Sequence, residues 1–163
     1  LEAVEVDVAG PPTSVHLRAA GWAEAAILLA AAAGAAGEVG EVAAPGGGRA
    51  TATVEDGRIR VVVTAGEVLD PVVLRSYVIG AAHMAYGWVT SEALTVDDEG
   101  AVHDLTIRSF GVPRAVDTPP IDVEIVDAAG PPVNGSDAAI AAAAAAVWLH
   151  QGGPTDWPTR GAL

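Results

Sequence analysis

Residues 50–63, ATATVEDGRIRVVV, contain the clearest local signal for secondary structure in this chain. Two runs of alternating apolar and polar residues flank Asp56 and Gly57, a preferred pair for a two-residue hairpin turn. Asp70 and Pro71 then predict a helix N-cap followed by proline in the first helical turn. The sequence therefore predicts a β-hairpin and, after it, a helix over about residues 71–90, with apolar residues at helical spacing.

The remaining elements are predicted from similar patterns on either side of this segment. In chain order they are a strand at 2–8, a helix at 19–37, a turn at 96–100, strands at 101–110 and 121–128, and a helix at 137–150. The resulting order, βαββαββα, favours an α+β fold: one domain with a split βαβ-like layout, in which helices pack on a mainly antiparallel sheet. We expect this domain to span residues 1–150. Residues 151–163 read as a Pro/Gly-rich tail, in which Trp157 either anchors the tail to the body or docks on a partner.

The composition is apolar and acidic. Hydrophobic residues make up 51% of the chain and charged residues 18%, which argues for a globular fold. The net charge is −13 and all eight basic residues are arginine, so binding to nucleic acid or to an anionic membrane is not expected. The absence of cysteine excludes disulfides and thiolate metal sites. With neither a signal-peptide pattern nor a long apolar segment in view, we expect a cytoplasmic protein.

The loop Asn134-Gly135-Ser136-Asp137 runs directly into the alanine-rich helix predicted at 137–150. A helix N-terminus favours a bound anion or a catalytic side chain. The simpler interpretation is helix capping by Ser136, with Asp137 complementing the helix dipole. No metal site is predicted, because the four histidines lack metal-ligand spacing and the acidic run at 97–99 lacks the alternating ligands of a calcium loop. The glycine-rich run at 44–50 lacks the signature of a phosphate loop and favours a flexible linker.

Several motifs occur in an order that resembles one known family. Asp70-Pro71 is followed by GAAHMAYGW (80–88) and then by VDTPPIDVEIVD (116–127). This order is similar to the C-terminal molybdenum-cofactor-binding region of the xanthine dehydrogenase/aldehyde oxidase family. There, a hairpin precedes an Asn-Pro step, a helix with a Gly-Gly-x-x-Gln-Gly-x-Gly-Trp pattern, and strands joined by a Pro-Pro-Ile segment. Residues 14–33 also look like the helix that follows that family's Ser-Arg-Ser-Thr cofactor loop. The resemblance implies a cofactor-binding α+β domain, with Asn134, Gly135, Ser136 and Asp137 facing the cofactor.

The chain departs from the family at the positions that carry the chemistry. The family places a catalytic glutamate in a Gly-Glu-Pro-Pro loop before a helix, and the matching position here is Ser136. Asp137 is one position later and one methylene shorter than that glutamate. The family's helix glutamine corresponds to Met84, and its cofactor loop to residues 13–16, Thr-Ser-Val-His. Since the glutamate acts as a general base on a metal-bound hydroxyl, and serine cannot take that role near neutral pH, no catalytic residue and no bound cofactor are expected.

These observations predict a miniature, active-site-degenerate relative of that cofactor-binding domain. Such a protein would act as a non-catalytic scaffold or binding subunit, either self-associated as a homo-oligomer or joined to a second protein subunit. The alternative is the small subunit of a split molybdenum hydroxylase, which would need a partner chain to complete its molybdenum cofactor site and to hydroxylate an N-heterocycle or an aldehyde. A third interpretation is a small-molecule binding module that keeps the fold and has changed its ligand.

Overall fold

The structure is a computed structural model that describes residues 15–34, 38–161 and 163. Within these residues the helices are α1 (Val15–Ala33), α2 (Pro71–Thr90), α3 (Ile107–Phe110) and α4 (Ser136–His150). The strands are β1 (Val42–Ala43), β2 (Arg49–Glu55), β3 (Arg58–Thr64), β4 (Thr95–Val96), β5 (Val102–His103) and β6 (Ile121–Val126). The strand predicted at 2–8 lies outside the described residues.

Four of the strands form one sheet in the order β1-β2-β3-β6. The β1–β2 and β2–β3 pairs are antiparallel, and the β3–β6 pair is parallel. The predicted hairpin is confirmed: Glu55 pairs with Arg58, and Asp56 and Gly57 have φ values of 50° and 69°, as a type I′ turn requires. The predicted fold class is confirmed as well, since this is an α+β fold with helices packed on a mainly antiparallel sheet.

The alanine-rich helix α4 is the centre of the core. It contacts β1, β2 and β3 on one side, and α1 and α2 pack against it. From Ala138 to Val147 every residue except Ile140 is buried. Small side chains let this helix approach the sheet and both neighbouring helices closely, so alanine provides the packing that larger residues provide elsewhere.

The long helix α2 begins as the sequence predicts. The Asp70 carboxylate accepts hydrogen bonds from the backbone N–H groups of Val72 (2.8 Å) and Val73 (3.1 Å), and Pro71 is the first helical residue. The helix buries Val78 and three alanines against α4 and the sheet. This packing against α4 and the sheet therefore fixes the positions of both ends of α2.

The strand predicted at 101–110 is wrong. Only Val102 and His103 are in a strand, which pairs with β4 around the predicted turn at 96–100, and residues 107–110 form the short helix α3. The Thr106 side chain accepts from the Ser109 N–H in a capping box, which starts α3. Two further boundaries also differ from the prediction: α1 spans Val15–Ala33 rather than 19–37, and α4 begins at Ser136.

The tail is held against the body of the molecule. The Trp157 ring packs edge-to-face on Trp88, with ring centroids 5.3 Å apart, and also contacts Trp148. The Thr159 N–H donates to the Val89 carbonyl (2.8 Å), and the next N–H along the chain donates to the Thr90 carbonyl (3.0 Å). Trp157 therefore anchors the tail at the C-terminal end of α2. Within the described ranges, no helix has the length and apolarity needed to cross a bilayer.

Candidate functional site

The loop at 131–135 is positioned by the parallel pairing of β3 and β6. Since parallel strands end at the same edge of a sheet, the segments that follow them run side by side. The Val133 N–H donates to the Ala65 carbonyl (3.0 Å), and the Glu67 N–H donates to the Gly130 carbonyl (3.1 Å). A Cβ on Gly66, whose φ is +66°, would lie 2.1 Å from the Pro131 carbonyl oxygen, so the two segments meet through a position that requires glycine.

Asn134 organises the four residues that the sequence singles out. Its Oδ1 accepts from the Ser136 N–H (2.9 Å), and its Nδ2 donates to Asp137 Oδ1 (3.1 Å). Gly135 occupies the N-cap position of α4 without a side-chain cap. The helix is therefore capped by the amide of Asn134, and the sequence-based expectation that Ser136 caps it is wrong. Asp137 does lie in the first turn, where its charge complements the helix dipole.

Two close contacts fix the backbone of this loop. A Cβ on Gly48 would lie 2.2 Å from the Asn134 carbonyl oxygen, and a Cβ on Gly135 would lie 2.9 Å from Val63 Cγ2. Gly48 belongs to a tight turn between β1 and β2, in which the Ala44 N–H donates to the Gly48 carbonyl (2.8 Å). The glycine-rich run at 44–50 is thus a hairpin turn that supports the loop, and the expectation of a flexible linker is wrong.

A cavity of about 340 Å³ lies beside this loop, at the N-terminal ends of α2 and α4. Its lining is mostly apolar; the polar side chains in it are Glu67, Asp70, Tyr77, Asn134 and Ser136. Asp137 is exposed and is not part of the lining. The structure therefore brings three of the four predicted residues (Asn134, Gly135 and Ser136) to the cavity, and leaves the fourth outside it.

The two lining carboxylates determine what this cavity can bind. Asp70 already accepts two backbone hydrogen bonds as the cap of α2. Glu67 is exposed at the mouth. Among the described residues that line the cavity there is no arginine or histidine. The site thus offers hydroxyl and amide groups beside two carboxylates. The negative charge of these carboxylates opposes the binding of an anionic ligand.

The other titratable residues of interest lie elsewhere. His83 is half-buried on α2, with its Nε2 3.1 Å from the Pro113 carbonyl oxygen. Burial raises the pKa of the nearby Glu92 carboxyl, and the charge of His83 partly lowers it. In the β4–β5 turn, His103 and the N–H of Ala101 both bind the carboxylate of Asp97 and lower its pKa. Across the described part of the chain, no group of three or more histidine, aspartate or glutamate residues is arranged to hold a metal ion.

Sequence reasoning did not place Glu67 and Tyr77 at the loop or pair Glu92 with His83. The cavity residues come together through the β3–β6 pairing, which no local pattern reports. On a continuous helix the spacing of His83 and Glu92 would place them on opposite faces, and Glu92 lies beyond the end of α2, so no local pattern indicates their proximity.

Comparison with known proteins identifies the fold. Over 64% of its length the chain is similar to CO dehydrogenase from Oligotropha carboxidovorans, with a TM-score of 0.51 and 14% identity, and it covers 16% of that chain. It is also similar to quinoline 2-oxidoreductase from Pseudomonas putida 86, with a TM-score of 0.49 and 21% identity, over 66% of this chain and 16% of the other. A comparison with curated protein sequences finds no match. The chain thus spans about a sixth of the length of the solved chains it resembles.

A family model gives the more specific result. Residues 48–119 match the molybdopterin cofactor-binding domain. The resemblance to a molybdenum-cofactor-binding domain that the sequence predicts is therefore confirmed over residues 48–119. The matched residues include the hairpin, α2 and α3, and they end before the loop at 134–137.

The candidate cavity fits that cofactor poorly. Molybdopterin carries a phosphate, which needs cationic or N–H donors, whereas this lining supplies two carboxylates and no cation from the described residues. The amide of Asn134 is already engaged with Asp137 and Ser136. The described residues that line this cavity therefore do not suit that phosphate.

Proposed function

We propose that the chain acts as an active-site-degenerate, non-catalytic scaffold or binding subunit of the molybdenum hydroxylase type. In this proposal residues 1–150 form the cofactor-domain body, and residues 151–163 form the tail that covers one end of α2. The observation that carries the proposal is which side chain lines the cavity. Ser136 lines the cavity, whereas Asp137, one residue later, lies outside it.

The chemistry of these side chains supports a non-catalytic role. A serine hydroxyl does not accept a proton near neutral pH, and the carboxylate of Asp137 is turned to the surface and bound by Asn134. Of the two carboxylates in the lining, Asp70 caps α2 and Glu67 is exposed at the mouth of the cavity. None of these groups is both inside the cavity and available to act as a general base.

The absence of cationic groups among the described residues of the lining supports weak retention of any cofactor by this chain alone. In this proposal Asn134, Gly135, Ser136 and Asp137 provide polar groups at the edge of a site that the rest of a molybdenum hydroxylase would complete. The molybdenum cofactor would then be held mainly by residues outside the body described above.

The surface beside the cavity supports a protein partner. Leu69, Val72 and Tyr77 are 76%, 75% and 65% exposed, and all three lie in or just before the first two turns of α2. Clustered exposed apolar side chains of this kind mark interaction surfaces. We propose that a second subunit, or a second copy of this chain, covers them.

Elemental analysis of the purified chain tests the proposal. The chain should be produced in a host that makes molybdenum cofactor, and molybdenum should be measured per chain together with turnover of a purine and an aldehyde. We expect molybdenum far below one atom per chain and no turnover. Molybdenum near one atom per chain, with turnover by the isolated chain, would overturn the scaffold proposal.

The split-enzyme alternative predicts a different outcome. If co-production with a partner subunit gives turnover, Asp137→Asn and Ser136→Ala decide which side chain takes part. Loss of a general base costs about 10²–10⁴-fold in rate, so a loss of that size in Asp137→Asn alone would support the split enzyme. An unchanged rate in both variants would support the proposal that this chain is a scaffold.

A further inference from the structure

A second cavity, of about 840 Å³, lies at the opposite end of α2 and gathers arginine residues. Arg108, Arg114 and Arg160 all line it, which places three of the eight basic residues of the chain around one opening. In a chain with a net charge of −13, the side chains that line this cavity carry a net charge of +2, from three arginines against Asp117.

The charges around this cavity do not cancel. Asp117 is the one acidic residue in the lining, and it forms a bidentate pair with Arg114: Nε donates to Oδ2 (2.5 Å) and Nη2 to Oδ1 (2.9 Å). That pair raises the pKa of Arg114 and lowers the pKa of Asp117. In the part of the chain that the structure describes, no ion pair is formed by Arg108 or Arg160. Two guanidinium charges therefore remain unneutralised.

Three separate segments hold these arginines in place. Arg108 is on α3, which a capping box starts and the left-handed Gly111 ends. Arg114 precedes a short 3-10 turn at 115–117. Arg160 is in the tail, where its own N–H donates to the Thr90 carbonyl (3.0 Å) and Trp157 anchors the preceding residues. The arginines meet only in the folded chain, at positions that backbone contacts fix.

The rest of the lining is largely apolar. Ile107, Val112, Pro113 and the half-buried Tyr86 contribute side chains. The hydroxyl of Thr90, which also lines the cavity, already donates to the Tyr86 carbonyl (2.6 Å). Guanidinium groups are therefore the main donors, and a ligand that satisfies this lining combines a negatively charged group with an apolar body.

We propose that the cavity lined by Arg108, Arg114 and Arg160 binds a small organic anion, in which a phosphate or carboxylate group is joined to an aromatic or aliphatic body. This site is distinct from the loop at 134–137. Because α2 has 20 residues, its two ends lie about 30 Å apart. Since all three arginines are exposed, binding is expected to be weak and sensitive to salt.

Calorimetric titration of the full chain at low salt tests this site. The probes are phenyl phosphate and benzoate, with benzyl alcohol as a neutral molecule that has a similar body. We expect saturable binding of at least one anion, with a dissociation constant on the order of 1 mM. Comparison of the two anions shows which charged group the site prefers.

Variants of the arginines locate the binding. Arg108→Gln and Arg160→Gln should each weaken binding about tenfold, the usual effect of losing one charge-assisted hydrogen bond. Arg114→Gln should weaken it further, because it leaves Asp117 unpaired beside the anion. Arg49→Gln is the matched control: Arg49 is also exposed and pairs with Glu41 on the sheet, so its loss should leave binding unchanged.

Circular dichroism and thermal unfolding of each variant establish that the fold is retained. The proposal is overturned if neither anion shows saturable binding, if benzyl alcohol binds as tightly as the anions, or if folded Arg108→Gln and Arg160→Gln bind as tightly as the parent chain. A uniform loss across all four arginine variants would also overturn it, because that result indicates a general charge effect.

Discussion

At both ends of α2 a left-handed glycine packs against a backbone carbonyl, but the charged side chains at the two ends have opposite sign. At the N-terminal end, the left-handed Gly66 packs against the Pro131 carbonyl; at the C-terminal end, the left-handed Gly111 packs against the Ser91 carbonyl. An added Cβ would lie 2.1 Å from the first oxygen and 2.3 Å from the second. The first end collects Glu67 and Asp70, whereas the second collects three arginines.

This difference separates what shapes a cavity from what selects its ligand. Close contacts between backbone carbonyls and glycines fix the loops at both ends, and they have no preference for a ligand. The charged side chains set that preference, and at each end they have the sign that the helix dipole favours: Asp70 at the N-terminus and arginine near the C-terminus. The end that carries the sequence resemblance to a cofactor loop is therefore the end less suited to an anion.

The largest expected effects come from replacing the two glycines. Gly66→Ala and Gly111→Ala should each lower the free energy of unfolding by about 2–4 kcal/mol, because each combines left-handed strain with a clash against a carbonyl. Urea denaturation followed by tryptophan fluorescence measures both values. Gly111→Ala should also weaken anion binding at the arginine cavity, whereas Gly66→Ala should leave it unchanged.

Gly100→Ala is the control for these two variants. Gly100 also has a positive φ (+83°), but an added Cβ there would meet nothing within 4 Å. Its cost should therefore be the left-handed strain alone, about 1–2 kcal/mol. If all three variants lose the same free energy, the close carbonyl contacts do not hold the two ends, and the comparison between them fails.

A smaller effect is expected from removing the cap of α2. Asp70→Ala should cost about 1 kcal/mol, since the N–H groups of Val72 and Val73 lose their acceptor. Asp70→Asn keeps an acceptor oxygen and removes the charge, so it should lower the free energy of unfolding by only a few tenths of about 1 kcal/mol. Equal losses in the two variants, measured by urea denaturation, would indicate that charge rather than hydrogen bonding sets the role of Asp70.

The parts of the fold that contiguous residues determine could be predicted from the sequence. The turn at Asp56 and Gly57 and the cap at Asp70 each depend on a few neighbouring residues, and both are confirmed. The strand predicted at 101–110 failed because alternation is informative only where one face of a strand is buried. Val102 and Ile107 are 45% and 78% exposed, so the alternation of apolar residues there does not correspond to a buried strand face.

The candidate site was predictable only as a location. Ser136 and Asp137 are adjacent, and successive helical residues differ in direction by about 100°. Which of the two lines the cavity therefore depends on the residue at which α4 starts, and helix boundaries are poorly specified by sequence. The arginine cavity had no sequence signal, because its three arginines come from segments that meet only through tertiary contacts.

The smallest expected effect concerns Glu92, just beyond the C-terminal end of α2. Burial raises the pKa of this carboxyl, although His83 partly opposes the shift. A carboxyl whose pKa is higher in the folded than in the unfolded chain makes folding less favourable as the pH rises from below its ordinary pKa through its folded pKa. Glu92→Gln should therefore give a small gain in stability at neutral pH, and the gain should shrink in acid.

Glu55→Gln, at an exposed position, is the control, because it removes one negative charge from the same acidic chain without changing a half-buried group. Urea denaturation of both variants at neutral and acidic pH measures the difference. Equal gains in the two variants at every pH would show that net charge, and not the burial of Glu92, sets the effect.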